Sequence, residues 1–396
     1  MRRIYFDNAA TTQVAPEVLA AMRLYFEKVY GNPSSLHTFG RKAKKAIDRA
    51  REKVAHFLGC QEKEVIFTSC ASESNNLALK GVVEAYCQAK LGSDPHIIVS
   101  PIEHHCVLDS AKHLEKKGVE VTWLRADKFG VVDPKEVEKS IKENTVLVSV
   151  MYVNNEVGTI EPIREIGRII RRINELRATH RKPKVYFHTD AVQAIQYLDC
   201  DVGKLGVDLL SMSAHKFHGP KGVGALFIRS GTKIVRQLDG GGQEFGLRAG
   251  TENVPYIVGL GKAIDLTTNN KQLIINKVSK LRNRLVEGVL GQVPDCILTG
   301  HPQRRAPHIA SFIVKGVEGE AMLLMLDEKG IAVSTGSACT SGTLEPSHVL
   351  LAMGFSPEEA HGSLRLSLSK YNTKEEVDCF LDVFPKIVFY LRKMSP

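Results

Sequence analysis

The sequence predicts a large α/β domain with a mostly parallel, seven-stranded mixed sheet, together with a smaller α+β domain. Three observations indicate this fold. Short apolar runs alternate with amphipathic stretches from about residue 42 to 230, which is the pattern of strands joined by helices. The last two of these runs are too close together for a helical connection, so antiparallel pairing is expected between them. Past residue 255 the pattern changes, and a long helical stretch precedes short strands and helices.

Seven apolar runs are the candidate strands of the large domain. In chain order they are EVIFTS, HIIVS, VEVTWL, TVLVSVMYV, KVYFHTD, DLLSMS and GALFIR. Helical patterns lie between several of them, for example IREIGRIIRRINELRATH at 163–180. We therefore predict a large domain at 16–255 and a small domain at 1–15 and 256–396, with SFIVKG and GSLRLSLS as strands of the latter. The first fifteen or so residues, with their NAATT, are predicted to be ordered.

Composition and charge exclude several classes of protein. The 396 residues are 43% hydrophobic and 24% charged, which is ordinary for a soluble globular protein. The apolar runs are far shorter than the ~20 residues of a membrane helix, and no apolar stretch follows the two N-terminal arginines, so no secretory signal is predicted. The formal charge of +9 does not indicate nucleic acid, because acidic residues are interspersed with the basic ones on helical patterns such as 41–53. We expect no membrane and no direct nucleic-acid partner.

The cysteines suit a reducing cytoplasm. All eight are scattered without a CxxC pair, which favours neither a disulfide framework nor a zinc site. His104, His105 and Cys106 are adjacent, but neighbouring side chains point apart and do not easily share a metal ion, so we expect none. Cys339 differs from the others because nine of the ten residues in STGSACTSGT, 334–343, are Ser, Thr, Gly or Ala.

Polar residues follow the candidate strands, where open parallel sheets bind their ligands. After EVIFTS, the small polar segment 70–76 opens a helical pattern whose free N–H groups could bind an anion, although a simple helix cap is the commoner explanation for such a segment alone. Later strands are followed by Asn155, Asp190 and Lys216. One explanation covers this combination: Lys216 forms a Schiff base with pyridoxal 5′-phosphate (PLP), and Asp190 keeps the pyridine nitrogen protonated. Lys216 taken alone would more often be a surface lysine.

Ten motifs along the chain carry a family resemblance. In order they are YFDNAATT, GNPSSLHTFG, FTSCASESNN, EHHCVLD, VNNEVGT, HTDAVQ, SAHKFHGPKGVGAL, GGGQEFGLRAGTENVP, STGSACTSGTLEPSHVL and SLRLS. Together they resemble a cysteine desulfurase of the NifS/IscS type, in the class-V aminotransferase family of fold-type I PLP-dependent transferases. The resemblance covers nearly the whole chain.

The resemblance implies a role for each matching residue in binding the cofactor. Lys216 would bond PLP, His104 would stack on its ring, and Asp190 would pair with the pyridinium nitrogen. Gln193 and Asn155 would approach the ring oxygen and its surroundings. The implied cofactor-binding residues are Ala71 (through its backbone), Ser72, His104, Asn155, Asp190, Gln193, Ser213, His215, Lys216 and, from the partner subunit, Thr251.

The resemblance also implies how substrate and sulfur are handled. Arg365 would pair with the substrate carboxylate through a bidentate fork, beside Asn155; the alternative is a buried structural ion pair. Cys339 would attack the sulfur of bound cysteine and carry it away as a persulfide, in a loop with few side-chain anchors that can swing; the alternative is an incidental loop cysteine. Because the thiolate attacks and a free thiol has a pKa of about 8.5, the site must activate Cys339, and the implied proton acceptor is His104.

Two residues depart from the family pattern. The phosphate loop usually has Gly-Ala-Thr-Glu, and Cys70 stands here in place of the glycine, while Ser72 still supplies a hydroxyl. Phe245 stands where a basic residue is frequent, which puts in doubt any role of that side chain in substrate entry.

We therefore expect a cytoplasmic homodimer that converts L-cysteine to L-alanine and a Cys339 persulfide. It would supply sulfur to an acceptor protein, for iron–sulfur cluster assembly or tRNA thiolation. The segment that follows Cys339 favours direct, IscS-like transfer of sulfur to the acceptor. The alternatives are selenocysteine lyase, an aminotransferase, which needs no mobile cysteine, and a catalytically silent scaffold for sulfur acceptors.

Overall fold

A computed structural model of the chain describes residues 3–89, 94–336 and 345–394. The predicted nucleophile, Cys339, lies outside these ranges. The helices described are α1 (Pro16–Glu27), α2 (Thr38–Leu58), α3 (Ala71–Gln88), α4 (His105–Glu115), α5 (Pro134–Ser140), α6 (Ile163–Thr179), α7 (Val202–Leu205), α8 (Val254–Asn269), α9 (Lys271–Gln292), α10 (Gly319–Glu328), α11 (His348–Ala352), α12 (Pro357–His361) and α13 (Lys374–Met394). The strands described are β1 (Ile4–Tyr5), β2 (Val65–Thr68), β3 (His96–Val99), β4 (Glu120–Trp123), β5 (Thr145–Ser149), β6 (Tyr186–Asp190), β7 (Leu209–Ser213), β8 (Gly224–Ile228), β9 (Cys296–Leu298), β10 (Ile309–Val314), β11 (Ile331–Ala332) and β12 (Ser363–Ser367).

All seven strands predicted for the large domain belong to one sheet, with the order β2-β8-β7-β6-β5-β3-β4. The neighbours from β7 to β4 pair in parallel. β8 runs antiparallel to both β2 and β7, which confirms the antiparallel pairing predicted for the last two strands. Successive residues of a strand point to opposite faces, so Ile97 packs with α3 and α4 while Ile98 packs with the core that includes α2 and α6. The mostly parallel sheet and its cover on both faces confirm the predicted fold class.

α2 shows how one amphipathic pattern is used. Its positions Ala43, Ile47, Ala50 and Val54 are buried against the sheet, as their spacing predicts. Most of its charges lie on the outer face, but Arg51 does not: its side chain is 4% exposed and forms a bidentate ion pair with Glu244. The sequence predicted that the charges of this helix are solvated, and this prediction is wrong for Arg51. The guanidinium is buried because the buried Glu244 carboxylate neutralises its charge.

The remaining strands form two smaller sheets. β10 pairs antiparallel with β12 and β9, and β1 pairs in parallel with β11. A second apolar core lies beneath them, formed with α9, α10 and α13. The strands predicted in SFIVKG and GSLRLSLS are confirmed as β10 and β12.

The helical stretch predicted at 256–291 is two helices, with Asn270 between α8 and α9. α8 packs on α1 and α2, and its apolar side chains belong to the core of the large sheet, whereas those of α9 belong to the second core. The domain division predicted from the sequence, 16–255 against the rest, stays a prediction. We propose moving its second boundary to about residue 270, because apolar cores define domains.

The N-terminal segment is tied into the small sheets, as predicted for ordered residues. Beyond β1, the Asn8 side chain donates to the Ser367 carbonyl at 2.8 Å, and the Ala9 N–H donates to the Ser367 hydroxyl at 2.8 Å. The segment then runs past the end of β7, where Thr12 bonds the carbonyl of His215. Among the helices described, none combines the length and the apolar character needed to cross a membrane.

Candidate active site

A cavity of about 320 Å³ opens at the carboxyl ends of the large sheet's parallel strands. All but one of the cofactor- and substrate-binding residues predicted from the sequence line it: Ala71, Ser72, His104, Asn155, Asp190, Gln193, Ser213, His215, Lys216 and Arg365. Six lining residues had no predicted role: Ala9, Ala10, Cys70, Cys106, Met151 and Val192. The sheet brings the predicted residues together because strands that run in parallel end at the same edge.

The first turn of α3 forms the anion-binding part of the cavity. The helix begins at Ala71, three residues after β2 ends, and no side chain caps it at Cys70. The Glu73 carboxylate would repel an anion, but it accepts hydrogen bonds from the Ser69 N–H at 2.8 Å and from Arg248 Nε at 2.9 Å, and the arginine offsets its charge. The φ of Cys70 is −173°, an extended conformation that any residue adopts, so its replacement of glycine strains no backbone. The free N–H groups of this turn suit a phosphate.

Asp190 is the last residue of β6 and is 4% exposed. Its Oδ1 accepts from the Val192 N–H at 2.9 Å, and its Oδ2 accepts from the Asn75 amide at 2.6 Å. These two donors fix the plane of the carboxylate. Sequence reasoning had quoted Asn75 in the FTSCASESNN motif without giving it a role.

Lys216 follows β7 in a short 3₁₀ turn, Ala214–Lys216. Its ammonium donates to the carbonyls of Ala9 at 2.5 Å and Ala10 at 2.8 Å. The Gln193 amide also donates to the Ala9 carbonyl, at 2.8 Å. The N-terminal segment therefore supplies main-chain acceptors to two predicted cofactor residues. The NAATT motif, which contains Ala9 and Ala10, indicated that this segment is ordered.

Behind Gln193 lies a fully buried imidazole. The Gln193 Oε1 is 3.1 Å from Nε2 of His308, whose ring stacks on Tyr197 at 4.3 Å between centroids. Burial lowers the pKa of His308 to about 3, so it is neutral. This ring fixes the orientation of the Gln193 amide, and nothing in the local sequence pattern indicated it.

His104 caps the first turn of α4. Its Nδ1 accepts the Cys106 N–H at 3.2 Å and also lies 3.0 Å from the Cys106 sulfur. Burial lowers the pKa of His104, and the Asp190 carboxylate opposes part of that shift. The ring is therefore neutral at physiological pH.

Arg365 lies in β12 and is 3% exposed. Its Nη2 is 3.0 Å from Asp7 Oδ1, and its Nη1 donates to the Asn155 carbonyl at 3.0 Å. Within the described part of the chain, its Nε has no hydrogen-bond partner. Both alternatives left open by the sequence thus have support: Arg365 lines the cavity and also forms an ion pair. Its part in substrate binding stays a prediction.

Thr251 is the predicted cofactor residue that does not line the cavity. It is exposed and lies beside Phe67, Thr68 and Arg248 at a separate depression. The resemblance placed it in the partner's site, and that role stays a prediction.

Phe245, the second departure from the family pattern, is 59% exposed, and the Arg51 guanidinium lies 5.0 Å from its ring centroid. Its φ of 57° and the 47° of Glu244 are unusual for residues with side chains. Three hydrogen bonds to Glu244 hold this turn: two in the bidentate ion pair with Arg51 and one from the Phe67 N–H at 2.7 Å.

Glu156 contacts residues on both sides of the segment 337–344 that contains Cys339. Its Oε2 accepts from the Ser347 hydroxyl, which precedes α11, and a Cβ at Gly336 would lie 3.0 Å from the same oxygen. Burial raises the pKa of Glu156 to about 7, against the opposing effects of the Ser347 bond and the Arg365 charge. Sequence reasoning missed Glu156, although it follows Asn155 in the VNNEVGT motif.

The chemistry of the cavity fits PLP: an amine at Lys216, a carboxylate at Asp190 and an anion site at α3 are what a fold-type I PLP enzyme needs. Among the described residues no group of side chains could hold a metal ion. The family model Aminotransferase class-V matches residues 4–380. The chain therefore belongs to the class-V aminotransferase family, whose members depend on PLP.

Relatives within this family are desulfurases and NifS-like proteins. The cysteine desulfurase IscS of Clostridium botulinum (strain Hall) is 50% identical over 397 residues, which cover 100% of this chain and 96% of the relative. A solved structure of a NifS-like protein has a TM-score of 0.90 and 41% identity, covering 98% of this chain and 100% of that one. The structure of SspA in complex with cysteine has a TM-score of 0.79 and 36% identity, covering 93% of this chain and 100% of that one.

Proposed function

We propose that this chain is a PLP-dependent cysteine desulfurase. It converts L-cysteine and the Cys339 thiol to L-alanine and a Cys339 persulfide. The observation that carries this proposal is the single cavity in which Lys216, Asp190, the α3 N-terminus and Arg365 meet. The desulfurase relative at 50% identity and the cysteine-bound SspA support cysteine as the substrate.

Each wall of the cavity would hold one part of the cofactor. Lys216 would supply the amine that bonds it, and Asp190 would pair with its ring nitrogen, with the Asn75 and Val192 donors keeping the carboxylate in place. The first turn of α3, Ser213 and His215 line the same cavity and would hold the phosphate. When bound, PLP supplies an electron sink that lowers the energy of charge developing on the substrate.

The substrate's carboxylate would lie against Arg365, whose buried Nε has no hydrogen-bond partner among the described residues. A guanidinium suits a carboxylate because it offers two parallel N–H donors. The Cys339 thiolate then attacks the substrate sulfur, the carbon–sulfur bond breaks, and the sulfur stays on Cys339. The atoms balance as one cysteine and one thiol in, one alanine and one persulfide out.

The wider role belongs to the same proposal. The enzyme works as a cytoplasmic homodimer, and it passes sulfur to an iron–sulfur scaffold or a tRNA-thiolation protein. Support for the dimer is the exposed position of Thr251, outside the cavity of its own chain. Support for the acceptors is the IscS name of the relatives.

An absorbance spectrum tests the function directly. The purified protein should show the visible band of lysine-bound PLP, and added L-cysteine should change that band and yield alanine. Lys216→Ala should lose both the band and alanine formation, because no other residue of the SAHK motif can bond the cofactor. Surface Lys221→Ala is the matched control, since it lies in the same motif but outside the cavity lining.

Two results would contradict the proposal. A purified protein that neither contains nor takes up PLP would favour a silent scaffold. Alanine formation from selenocysteine but not from cysteine would identify a selenocysteine lyase.

A further inference from the structure

Four side chains form a continuous chain of contacts along one wall of the cavity. Asp190 Oδ2 accepts from Asn75 Nδ2 at 2.6 Å. The same amide nitrogen lies 3.0 Å from the Cys106 sulfur, and that sulfur lies 3.0 Å from His104 Nδ1. The chain therefore connects the residue predicted to face the cofactor nitrogen with the residue predicted to stack on its ring. Neither Asn75 nor Cys106 had a predicted role.

The orientation of the Asn75 amide is fixed by its partners. If the amide were flipped, its oxygen would face the Asp190 carboxylate at 2.6 Å, and two acceptors would repel each other. In the observed orientation one N–H points to Asp190 and the other to the Cys106 sulfur. Asn75 is fully buried, and its Oδ1 has no partner among the described residues. A buried acceptor without a partner lowers the stability of the fold. The two N–H donors of Asn75, to Asp190 and to Cys106, offer a functional reason for an asparagine at this position.

The hydrogen bonds of His104 fix which ring nitrogen carries the proton. A backbone N–H can only donate, so the bond from the Cys106 N–H makes Nδ1 an acceptor. Burial lowers the pKa of His104, which keeps the ring neutral, and its one proton must be on Nε2. The protonation state of the Cys106 thiol is consistent with an unprotonated Nδ1 on His104. Burial raises the pKa of this thiol to about 12, so the sulfur keeps its proton and can point it at Nδ1.

We propose that Asn75 and Cys106 are positioning residues for the desulfurase reaction: they hold Asp190 and His104 in place and keep His104 in the Nε2–H form. This inference rests on the proposed function. The inference goes beyond the proposed function because it assigns the proton of His104 to Nε2. Nδ1 cannot take up a proton without losing the hydrogen bond that caps α4. The proposal differs here from the family resemblance, which implies His104 as the proton acceptor for Cys339: in the Nε2–H form, Nε2 already carries a proton and cannot accept that of Cys339.

Nitrogen-15 spectra of the histidine-labelled holoenzyme test the proton position. The His104 signals, assigned by their loss in His104→Gln, should show a protonated Nε2 and an unprotonated Nδ1 at pH 7.5. Cys106→Ala should shift the Nδ1 signal, because the sulfur that lies 3.0 Å from this nitrogen is removed. Cys70→Ala is the matched control, since this cysteine lines the same cavity and its sulfur accepts a hydrogen bond from the Ser69 hydroxyl at 3.7 Å. A proton on Nδ1 in the wild type would overturn the proposal.

The visible band of bound PLP gives a second readout that does not depend on turnover. Asn75→Ala removes a donor from the Asp190 carboxylate, so the pH at which the band changes should move by roughly half a unit or more, in line with the worth of one charge-assisted hydrogen bond. kcat should fall several-fold with KM nearly unchanged, and Asn75→Gln should not restore it because the longer side chain misplaces the amide. An unmoved pH transition in Asn75→Ala would overturn the proposal. If the wild type lacks the band, the proposed function fails instead, so the two failures are distinguishable.

Discussion

The wall of the cavity made by the large sheet and the wall made by the small sheet place their functional side chains differently. On the first wall, Asp190 ends β6 and Lys216 lies in the turn after β7, so strand ends fix their positions. On the second wall, Arg365 lies within β12 and is held by Asn155 and Asp7, which are 210 and 358 residues away in sequence. The first wall depends mainly on the sheet, whereas the second depends on contacts between residues far apart in sequence. Substitutions on the two walls should therefore separate chemistry from substrate positioning.

The largest effect is expected at Cys339, the proposed nucleophile. Cys339→Ser should keep the visible band and its response to cysteine, because the groups of the first wall are untouched. Sulfur release should fall by on the order of 10²-fold or more, since a serine hydroxyl is a far weaker nucleophile than a thiolate.

Peptide mass spectrometry checks the same assignment in the wild type. Brief exposure to cysteine without reductant should add one sulfur to the peptide that contains Cys339. Cys70 and Cys106 line the cavity and are the informative internal controls; burial raises the pKa of Cys106 to about 12, so it should stay unmodified. Sulfur on another cysteine, with Cys339 bare, would disprove the assignment.

On the first wall, Asp190→Asn should keep the cofactor bound but lower kcat severely, by on the order of 10²-fold. The neutral amide no longer stabilises charge on the cofactor ring, and that loss acts on the transition state. Steady-state kinetics distinguish the roles, because a change confined to KM would make Asp190 a binding residue only. Asp199→Asn, an exposed aspartate of the same region, is the control.

On the second wall, Arg365→Ala should weaken substrate binding by about 2–5 kcal/mol, because a desolvated carboxylate loses its partner. Arg365→Lys should restore only part, since lysine lacks the planar fork. Asp7→Asn separates the two alternatives for Arg365. If the ion pair is its whole role, Asp7→Asn and Arg365→Ala should lower the melting temperature alike and leave KM unchanged.

The smallest effect concerns Glu156, where burial raises the folded-state pKa to about 7 against about 4.3 for an unfolded glutamate. Between these values the unfolded chain releases the proton while the folded chain keeps it, so stability falls as pH rises from about 4.3 to 7. Glu156→Gln keeps an acceptor for the Ser347 hydroxyl and removes the charge. Its melting temperature should exceed that of the wild type by a few degrees at pH 8, and the difference should shrink towards pH 5. Glu52→Gln, exposed on α2, should show no such trend, and a trend of opposite sign for Glu156→Gln would contradict the burial argument.

Most residues that line the large-sheet wall were predicted from the sequence, Asp190 and Lys216 from their places at strand ends and the others from the family resemblance. A five-residue strand that ends on a polar residue places that residue at the carboxyl edge of the sheet, as β6 does with Asp190. The helical break at Asn270 was missed, because an apolar pattern continues across it while the two helices pack on different cores. Periodicity reports which face is buried and does not report which core covers it.

The sequence by itself determined the seven strands of the large sheet, the order of the motifs and the polar residues at the strand ends, since each of these depends on neighbours a few positions away. Only the tertiary structure decided the pairing of Arg365 with Asp7, the Arg51–Glu244 ion pair, the contact of Glu156 with Ser347, and the link from Asp190 through Asn75 and Cys106 to His104. Most of these contacts join residues more than a hundred positions apart, and their energy depends on burial. Which distant residues meet is decided by the packing of the whole chain, so no local pattern encodes these partners.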